Sequence, residues 1–109
     1  MDNSKFDLLN VSHELVLDVY GNLRYFPKEE GFGLCSQMRR ASVSIPSNIS
    51  EGKSRESKKE YKRFLYISRA SLEELKYQIY LSKDLGYIKS DSYETINKKI
   101  DRVGKMLTA

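Results

Sequence analysis

Residues 57–85 read SKKEYKRFLYISRASLEELKYQIYLSKDL, and this stretch decides the fold. Its seam residues recur at alternating spacings of four and three, in the order Tyr61, Leu65, Ser68, Leu72, Leu75, Ile79, Ser82 and Gly86. Such a heptad pattern draws one stripe along a helix and predicts near-parallel packing against other helices. Ser68, Ala70 and Ser71 are small, so a neighbouring backbone can approach closely at mid-helix. We predict one long helix over residues 57–85.

Three further helices are predicted, over residues 5–25, 33–51 and 90–109, each with apolar residues at spacings of three and four. Pro46 lies inside the second, and because proline removes a backbone hydrogen bond and collides with the preceding turn, we expect a kink or a break there. Gly52 fits a stop for the same helix. The prediction is a single domain, residues 1–109, folded as an all-α, antiparallel, up-and-down four-helix bundle.

The first helix has an apolar face wider than one neighbour within the chain requires. That face comprises Leu8, Val11, Leu15 and Val19, widened by Leu9, Val16, Tyr20 and Leu23. Tyrosine occurs eight times, and Tyr77 and Tyr80 fall beside the main seam of the long helix. Since tyrosine suits half-buried sites between subunits, both features predict a homo-oligomer.

Composition and cysteine content narrow the class of protein. With 39% hydrophobic and 31% charged residues, the 109-residue chain resembles an ordinary globular domain. Its single cysteine, Cys35, cannot form an internal disulfide and fits a reducing compartment. No stretch is long and apolar enough to span a membrane, and the first residues lack the layout of a secretory signal. We expect a cytoplasmic protein with no membrane partner.

The net charge of +4 is modest, but it is unevenly distributed. Residues 1–30 carry three basic and six acidic groups, whereas residues 52–72 carry seven basic and two acidic groups. A basic segment of this kind favours a polyanionic partner.

A stripe of basic residues follows from the predicted helix. Arg55, Lys59, Lys62, Tyr66 and Arg69 are spaced by four, three, four and three, which aligns them on one face. Several cations in a line can neutralise nucleic-acid phosphates, and a tyrosine among them can stack on an unpaired base. The candidate nucleic-acid-binding residues are Arg39, Arg40, Lys53, Arg55, Lys58, Lys59, Lys62, Arg63, Tyr66 and Arg69.

The same residues also admit a purely structural interpretation. Glu56 and Glu60 are spaced to pair with Lys59, Lys62 or Arg63, which would make the stripe a solvated helix face. One arginine of Arg39-Arg40 is expected to point outward, and the other to form an ion pair within the bundle or between subunits. The sequence leaves both interpretations open.

Catalytic and metal sites are not expected, because the residue inventory is too small. His13 is the one histidine and Cys35 the one cysteine, whereas zinc sites and di-iron bundles need several such ligands. No glycine-rich phosphate loop is present. We therefore expect a protein that is not an enzyme, with no cofactor, no metal and no small-molecule substrate.

A run of short motifs in the middle of the chain carries a family resemblance. The motifs are Phe26-Pro27-Lys28-Glu29-Glu30, Phe32-Gly33-Leu34, Ser36-Gln37, Arg39-Arg40-Ala41, Ser44-Ile45-Pro46-Ser47-Asn48-Ile49, Glu51-Gly52, Phe64-Leu65, Ser71-Leu72 and Glu74-Leu75. In this order they resemble the bacterial four-helix-bundle family encoded in intervening sequences of 23S rRNA genes, whose relatives are labelled 23S rRNA-associated or ribosomal proteins. The accessory protein of diversity-generating retroelements shares the architecture.

The resemblance implies a ring-like homopentamer with a nucleic-acid-binding role and no catalysis. Together with the basic stripe, it predicts binding to structured RNA, with ribosomal RNA as one candidate, mainly through phosphates. The alternative is a protein-interaction scaffold that presents an apolar or tyrosine-rich surface and binds no nucleic acid.

Overall fold

The structure is a computed structural model that describes residues 7–108. These residues form four α-helices: α1 (Leu8–Leu23), α2 (Leu34–Lys53), α3 (Lys58–Asp84) and α4 (Ser90–Thr108). A short 3-10 turn, Lys28–Glu30, lies between α1 and α2. No strand occurs in the described part of the chain. The predicted all-α class and the number of helices are confirmed, and Lys5, where the first helix was expected to begin, lies outside the described residues.

The helices occupy the four corners of a bundle. α1 and α3 each pack against α2 and α4, so α1 lies diagonally opposite α3, and α2 diagonally opposite α4. The Lys53 ammonium at the end of α2 lies 3.3 Å from the Asp7 carboxylate at the start of α1, so these two helices are antiparallel. A second ion pair joins α1 to α4, where Lys99 Nζ lies 2.6 Å from Asp18 Oδ2. The chain therefore runs up and down, as predicted.

The core receives fully buried side chains from every helix. Leu15 of α1, Ile45 of α2, Leu75 of α3 and Ile100 of α4 are all at most 2% exposed. The heptad seam of α3 supplies much of this core, although its first two members, Tyr61 and Leu65, are only half-buried. Because burial of each large aliphatic side chain contributes about 1.5–3 kcal/mol, this apolar layer is the main source of stability.

The α2–α3 interface is built on small residues. Ser68 Oγ donates a hydrogen bond to the Ile45 carbonyl at 2.9 Å, and the hydroxyls of Ser44 and Ser71 lie 2.8 Å apart. Side chains this short can reach across the interface only when the two helices approach closely. The close mid-helix approach expected from Ser68 and Ser71 is confirmed.

Pro46 lies inside α2, which continues through it from Leu34 to Lys53. Of the two expected outcomes, the break does not occur. Proline at this position removes the backbone hydrogen bond to the Ser42 carbonyl. Side chains add hydrogen bonds close by, since Asn48 Nδ2 donates to the Ser44 carbonyl at 2.8 Å and Ser68 Oγ to the Ile45 carbonyl at 2.9 Å.

The end of α3 follows the predicted stop at Gly86. This glycine has φ +83°, a left-handed conformation that favours glycine. The Gly86 N–H donates to the Lys83 carbonyl at 3.0 Å, and the Tyr87 N–H to the Ser82 carbonyl at 2.9 Å. The paired hydrogen bonds form a Schellman motif, which turns the chain toward α4.

The bundle has two chemically different ends. One, which we call the basic end, comprises residues 53–69 at the α2–α3 connection. The other, which we call the aromatic end, contains Tyr25, Phe32, Leu85 and Tyr87 in the α1–α2 and α3–α4 connections. The Cα atoms extend over 43 Å, and the 27 residues of α3 alone account for about 40 Å at ~1.5 Å each. α3 therefore links one end to the other.

Candidate nucleic-acid interface

Serine side chains fix the backbone at the basic end. Ser54 Oγ donates to the Glu51 carbonyl at 2.7 Å, just after the last turn of α2. The Ser57 side chain accepts a hydrogen bond from the Glu60 N–H at 3.1 Å and caps the start of α3. Because helix ends leave backbone groups without partners, these contacts define where both helices begin and end.

Gly52 allows α2 and α3 to meet at the base of this turn. A Cβ atom at position 52 would lie 2.8 Å from Tyr61 Cδ1 and 2.9 Å from Phe64 Cβ, too close for any larger residue without movement. The interpretation of Gly52 as a helix stop is wrong, because α2 extends to Lys53. The glycine serves instead as a contact point between helices.

Three of the candidate cations are paired with carboxylates. The pairs are Lys53–Asp7 at 3.3 Å, Arg55–Glu51 at 3.0 Å and Arg63–Glu60 at 3.1 Å. The guanidinium groups of Arg55 and Arg63 also lie over the Phe64 ring, 4.9 Å and 5.2 Å from its centroid. Of the three pairs, Arg55–Glu51 joins the turn to the end of α2, and the charge of all three cations is partly balanced.

Four other candidate cations of the basic end are exposed and have no acidic partner within residues 7–108. They are Lys58, Lys59, Lys62 and Arg69, all on α3. The expected pairing of Glu60 is realised with Arg63, but neither Lys59 nor Lys62 is neutralised. The unpaired lysine and arginine side chains therefore leave an excess of positive charge on the surface of α3.

The geometry of the stripe differs from the prediction at Arg55. This residue lies in the turn before α3, which begins at Lys58, so it is not on the helix face with the others. Lys59, Lys62, Tyr66 and Arg69 do share a face of α3, and all four are exposed. The helix therefore presents a shorter stripe than expected.

Tyr66 lies in the middle of this stripe, with 63% of its surface exposed. A shallow depression of about 310 Å³ adjoins its ring and is lined also by Lys59, Glu60, Lys62 and Arg63. An exposed aromatic ring beside lysine side chains can stack on a base while the ammonium groups contact phosphates.

Arg39 and Arg40 lie far from this stripe. They are in the first half of α2, some 14 residues or about 21 Å along the helix from its C-terminal end at Lys53. Arg40 is exposed, as expected for one of the two, whereas Arg39 is half-buried and donates from Nη2 to the Gly31 carbonyl at 3.2 Å. Arg39 therefore braces the α1–α2 connection through a backbone carbonyl rather than through an acid.

Cys35 and His13 lie in opposite halves of the bundle. Cys35 is buried at the start of α2, and burial raises the pKa of its thiol. His13 is exposed in the first half of α1. Because α1 and α2 are antiparallel, the two side chains are not brought together. Within residues 7–108, no three His, Cys, Asp or Glu residues group as ligands for a metal ion.

Comparison with known families shows to which family the chain belongs. The family of 23S rRNA-intervening sequence proteins matches residues 4–109, nearly the whole chain. The chain belongs to this family. The resemblance read from its motifs is thereby confirmed.

A solved structure shares the fold of this intervening-sequence protein. It is the crystal structure of a protein of unknown function from the S23 ribosomal protein family of Bacteroides thetaiotaomicron, with 24% sequence identity and a TM-score of 0.85. The similarity covers 93% of this chain and 94% of that one. No curated protein matches the sequence significantly. None of the helices in the described part of the chain is long and apolar enough to cross a membrane.

Two features of the basic end could not be specified from the sequence. A carboxylate such as Glu51 is typical of an arginine partner, but only the structure shows that the arginine is Arg55, four residues further along. Phe64, which lies against both paired arginines, was assigned only to a family motif. No sequence signal indicated that one aromatic ring would contact two guanidinium groups.

Proposed function

We propose that this intervening-sequence protein binds structured RNA through the phosphate backbone, using the free cations of the basic end. One observation carries the proposal: Lys58, Lys59, Lys62 and Arg69 are exposed on a single helix without acidic partners in residues 7–108. Cations left unpaired on a rigid helix are available to replace the counterions of a nucleic acid.

The proposed contact is electrostatic and carries little sequence information. Each neutralised phosphate contributes roughly −0.7 to −0.9 to the slope of log affinity against log salt. Four free cations therefore predict a slope of roughly −3 to −4 for each chain bound. Base edges are not read, because recognition through phosphates positions a protein without specifying sequence. Ribosomal RNA is one candidate target.

We further propose that the protein works as a homo-oligomer, with five copies as the expected number. Large apolar side chains support this, since Leu17, Tyr20 and Val43 are each at least 40% exposed on the neighbouring helices α1 and α2. Tyr77 and Tyr80 of α3 are exposed as well. Clustered apolar residues on a surface mark sites of protein contact. An oligomer would also place several basic ends on one RNA and raise the avidity.

We propose a non-enzymatic role in the cytoplasm. The buried Cys35 thiol, with its raised pKa, is held in the protonated form, which is a poor nucleophile. The protein would then act by binding alone, with no cofactor and no small-molecule substrate.

The decisive experiment is fluorescence-anisotropy titration of a labelled RNA hairpin and a matched DNA duplex across a salt series. The variant Lys59→Glu/Lys62→Glu reverses two free cations of the stripe, and we expect a loss of roughly hundredfold in affinity with a shallower salt slope. The matched control is Lys98→Glu/Arg102→Glu, which makes the same change of net charge at exposed residues of α4.

The control variant is expected to retain most of the affinity. Equal losses in both variants would show that net charge alone attracts RNA and would refute a binding site on α3. Absence of binding by the wild-type protein even at low salt would refute the nucleic-acid function altogether.

One observation favours the alternative of a protein-interaction scaffold. Three of the candidate cations are already paired with Asp7, Glu51 and Glu60, while aromatic side chains remain exposed at the opposite end. If RNA binding fails, a protein partner for the exposed aromatic residues becomes the leading function.

A further inference from the structure

Phe32 is the most exposed large apolar side chain in the described part of the chain. Its relative exposure is 103%, which means that its ring makes no burying contact within the protein. By contrast, Phe26 is buried and Phe64 is half-buried. Leaving a full phenyl ring in water forfeits the free energy that burial would supply. The Phe32 ring is therefore available to be buried against another molecule.

The backbone that carries Phe32 is held firmly on both sides. The Gly31 carbonyl accepts a hydrogen bond from Arg39 Nη2 at 3.2 Å. Glu30 accepts from the Tyr87 hydroxyl at 2.9 Å through Oε2 and from the Leu34 N–H at 3.4 Å through Oε1. An aromatic side chain on a preorganised loop loses little conformational entropy on binding, which suits it to be an interface anchor.

A depression with matching chemistry lies at the same end of the bundle. It measures about 310 Å³ and is lined by Asn22, Tyr25, Tyr87, Lys89 and Ser92, between the end of α1 and the start of α4. Two of the five lining residues are aromatic, and Tyr25 is 77% exposed. Aromatic rings pair favourably in tilted or offset arrangements, so a third ring has suitable neighbours there.

We propose that Phe32 of one copy of this chain inserts into the Tyr25–Tyr87 depression of the next copy. The charges at the two surfaces are complementary. Glu29 is exposed near Phe32, Lys89 is exposed at the rim of the depression, and neither forms an ion pair within residues 7–108. The inference rests on the proposed oligomer and names the contact that builds it.

Phe32 and the depression lie side by side at the aromatic end of each copy. Tyr87 lines the depression, and its hydroxyl donates to Glu30, two residues before Phe32. Each copy therefore offers both halves of the contact. Two copies that exchange Phe32 reciprocally form a dimer, whereas copies that each engage a different neighbour close into a ring when the rotation allows it, and otherwise extend into filaments.

Site-specific photo-crosslinking tests the contact directly. A benzoyl-phenylalanine at position 32 of the full chain should form covalent dimers, and mass spectrometry should place the cross-link within residues 22–25 or 87–92 of the other copy. Cross-links confined to other regions would overturn the proposed contact.

Masses from light scattering separate this inference from the oligomer on which it rests. Phe32→Ser should reduce the wild-type mass to that of one chain while the chain keeps its helical circular-dichroism signal, because the replaced ring is not buried within its own copy. A wild-type protein with the mass of one chain would refute the oligomer itself. An assembled wild type with an equally assembled Phe32→Ser variant would refute the contact alone.

A mixing experiment tests whether Phe32 and the depression are the two halves of one contact. Ser92→Trp fills the depression but keeps Phe32, whereas Phe32→Ser keeps the depression. Each variant alone should have the mass of one chain, and an equimolar mixture should form a two-chain species through the one intact contact. Failure of the mixture to associate, with both variants folded by circular dichroism, would overturn the proposal.

Discussion

Both ends of the bundle are held by polar contacts, but the side chains left exposed without a partner differ between them. At the basic end, Arg55 and Arg63 form ion pairs with Glu51 and Glu60, while neighbouring lysines of α3 stay free. At the aromatic end, Glu30 and Arg39 hold the connection, while Phe32 stays in water. One end therefore offers charge, and the other offers apolar surface. The difference assigns the proposed RNA contact to one end of the bundle and the proposed contact between copies to the other.

The largest expected effect comes from filling the contact point beneath the basic end. Gly52→Ala places a methyl group 2.8–2.9 Å from Tyr61 and Phe64, so these side chains or their helix must shift. We expect the free energy of unfolding to fall by about 1–3 kcal/mol, which is typical of overpacking. Chemical denaturation followed by circular dichroism measures this change.

Gly21→Ala is the matched control, because a Cβ atom at this position of α1 would meet no atom within 4 Å. Alanine is the better helix former by about 1 kcal/mol, so this variant should be more stable than the wild type. A destabilising effect of the same size in both variants would show that backbone conformation, not helix contact, sets the cost at position 52.

The next effect in size distinguishes free from paired cations. Lys62→Gln removes a free charge, and we expect RNA affinity to fall severalfold and the salt slope to become shallower by about one unit. Arg55→Gln removes a charge already paired with Glu51, and its effect on the slope should be smaller. Anisotropy titrations at four or more salt concentrations measure both slopes, and identical changes would contradict the distinction.

A smaller effect is expected at the aromatic end, where Tyr87→Phe keeps the ring but removes the hydrogen bond to Glu30. That bond, followed by burial and by the charge of Glu30, raises the pKa of the Tyr87 hydroxyl. A raised pKa means that the stabilisation is fully present below the unfolded value of ~10 and is lost as pH rises through the folded value.

Melting temperatures of the wild type and of Tyr87→Phe should therefore differ at neutral pH and converge at strongly alkaline pH. A difference that stays constant across that range would mean that the hydroxyl does not contribute through its protonated form.

The smallest expected effect belongs to the ion pair between Asp7 and Lys53 at the basic end. The Leu9 N–H, together with Lys53, lowers the pKa of the Asp7 carboxyl. A lowered pKa gives stabilisation above the unfolded value of ~3.9 that is lost as pH falls through the folded value.

Asp7→Asn keeps a side chain that can cap α1 but removes the charge. Melting curves of this variant and of the wild type should therefore differ slightly near pH 6 and coincide in strong acid. A difference that persists in acid would assign the effect to the cap rather than to the charge.

Much of the fold was predictable because it depends on local periodicity. The heptad seam of α3 and the stop at Gly86 were predicted from residues that are close in sequence, and the structure confirms both. The role of Gly52 was not predictable, because it depends on where Tyr61 and Phe64 of another helix come to lie. Continuation of α2 through Pro46 was not predictable either, because proline in a helix allows a kink as well as a break.

The candidate site was predictable in outline but not in its charge balance. Spacing alone placed Lys59, Lys62 and Tyr66 on one face of a helix, as observed. Spacing did not show that Arg55 would lie outside the helix. It also did not show which cations would form ion pairs, because the pairing of side chains depends on their rotamers. Phe32 gave no signal at all, because a motif does not reveal whether a ring is buried or exposed.

The close α2–α3 interface has a consequence for the speed and order of folding. Three of the four helix contacts join helices adjacent in sequence, and α2–α3 is the most extensive of them. Topologies dominated by such local contacts fold quickly, because little chain entropy is lost before the first contacts form. We expect α2 and α3 to pair first and the α1–α4 contact to close last. In stopped-flow measurements, Ser68→Ala should then slow refolding, whereas Ile100→Val should mainly speed unfolding.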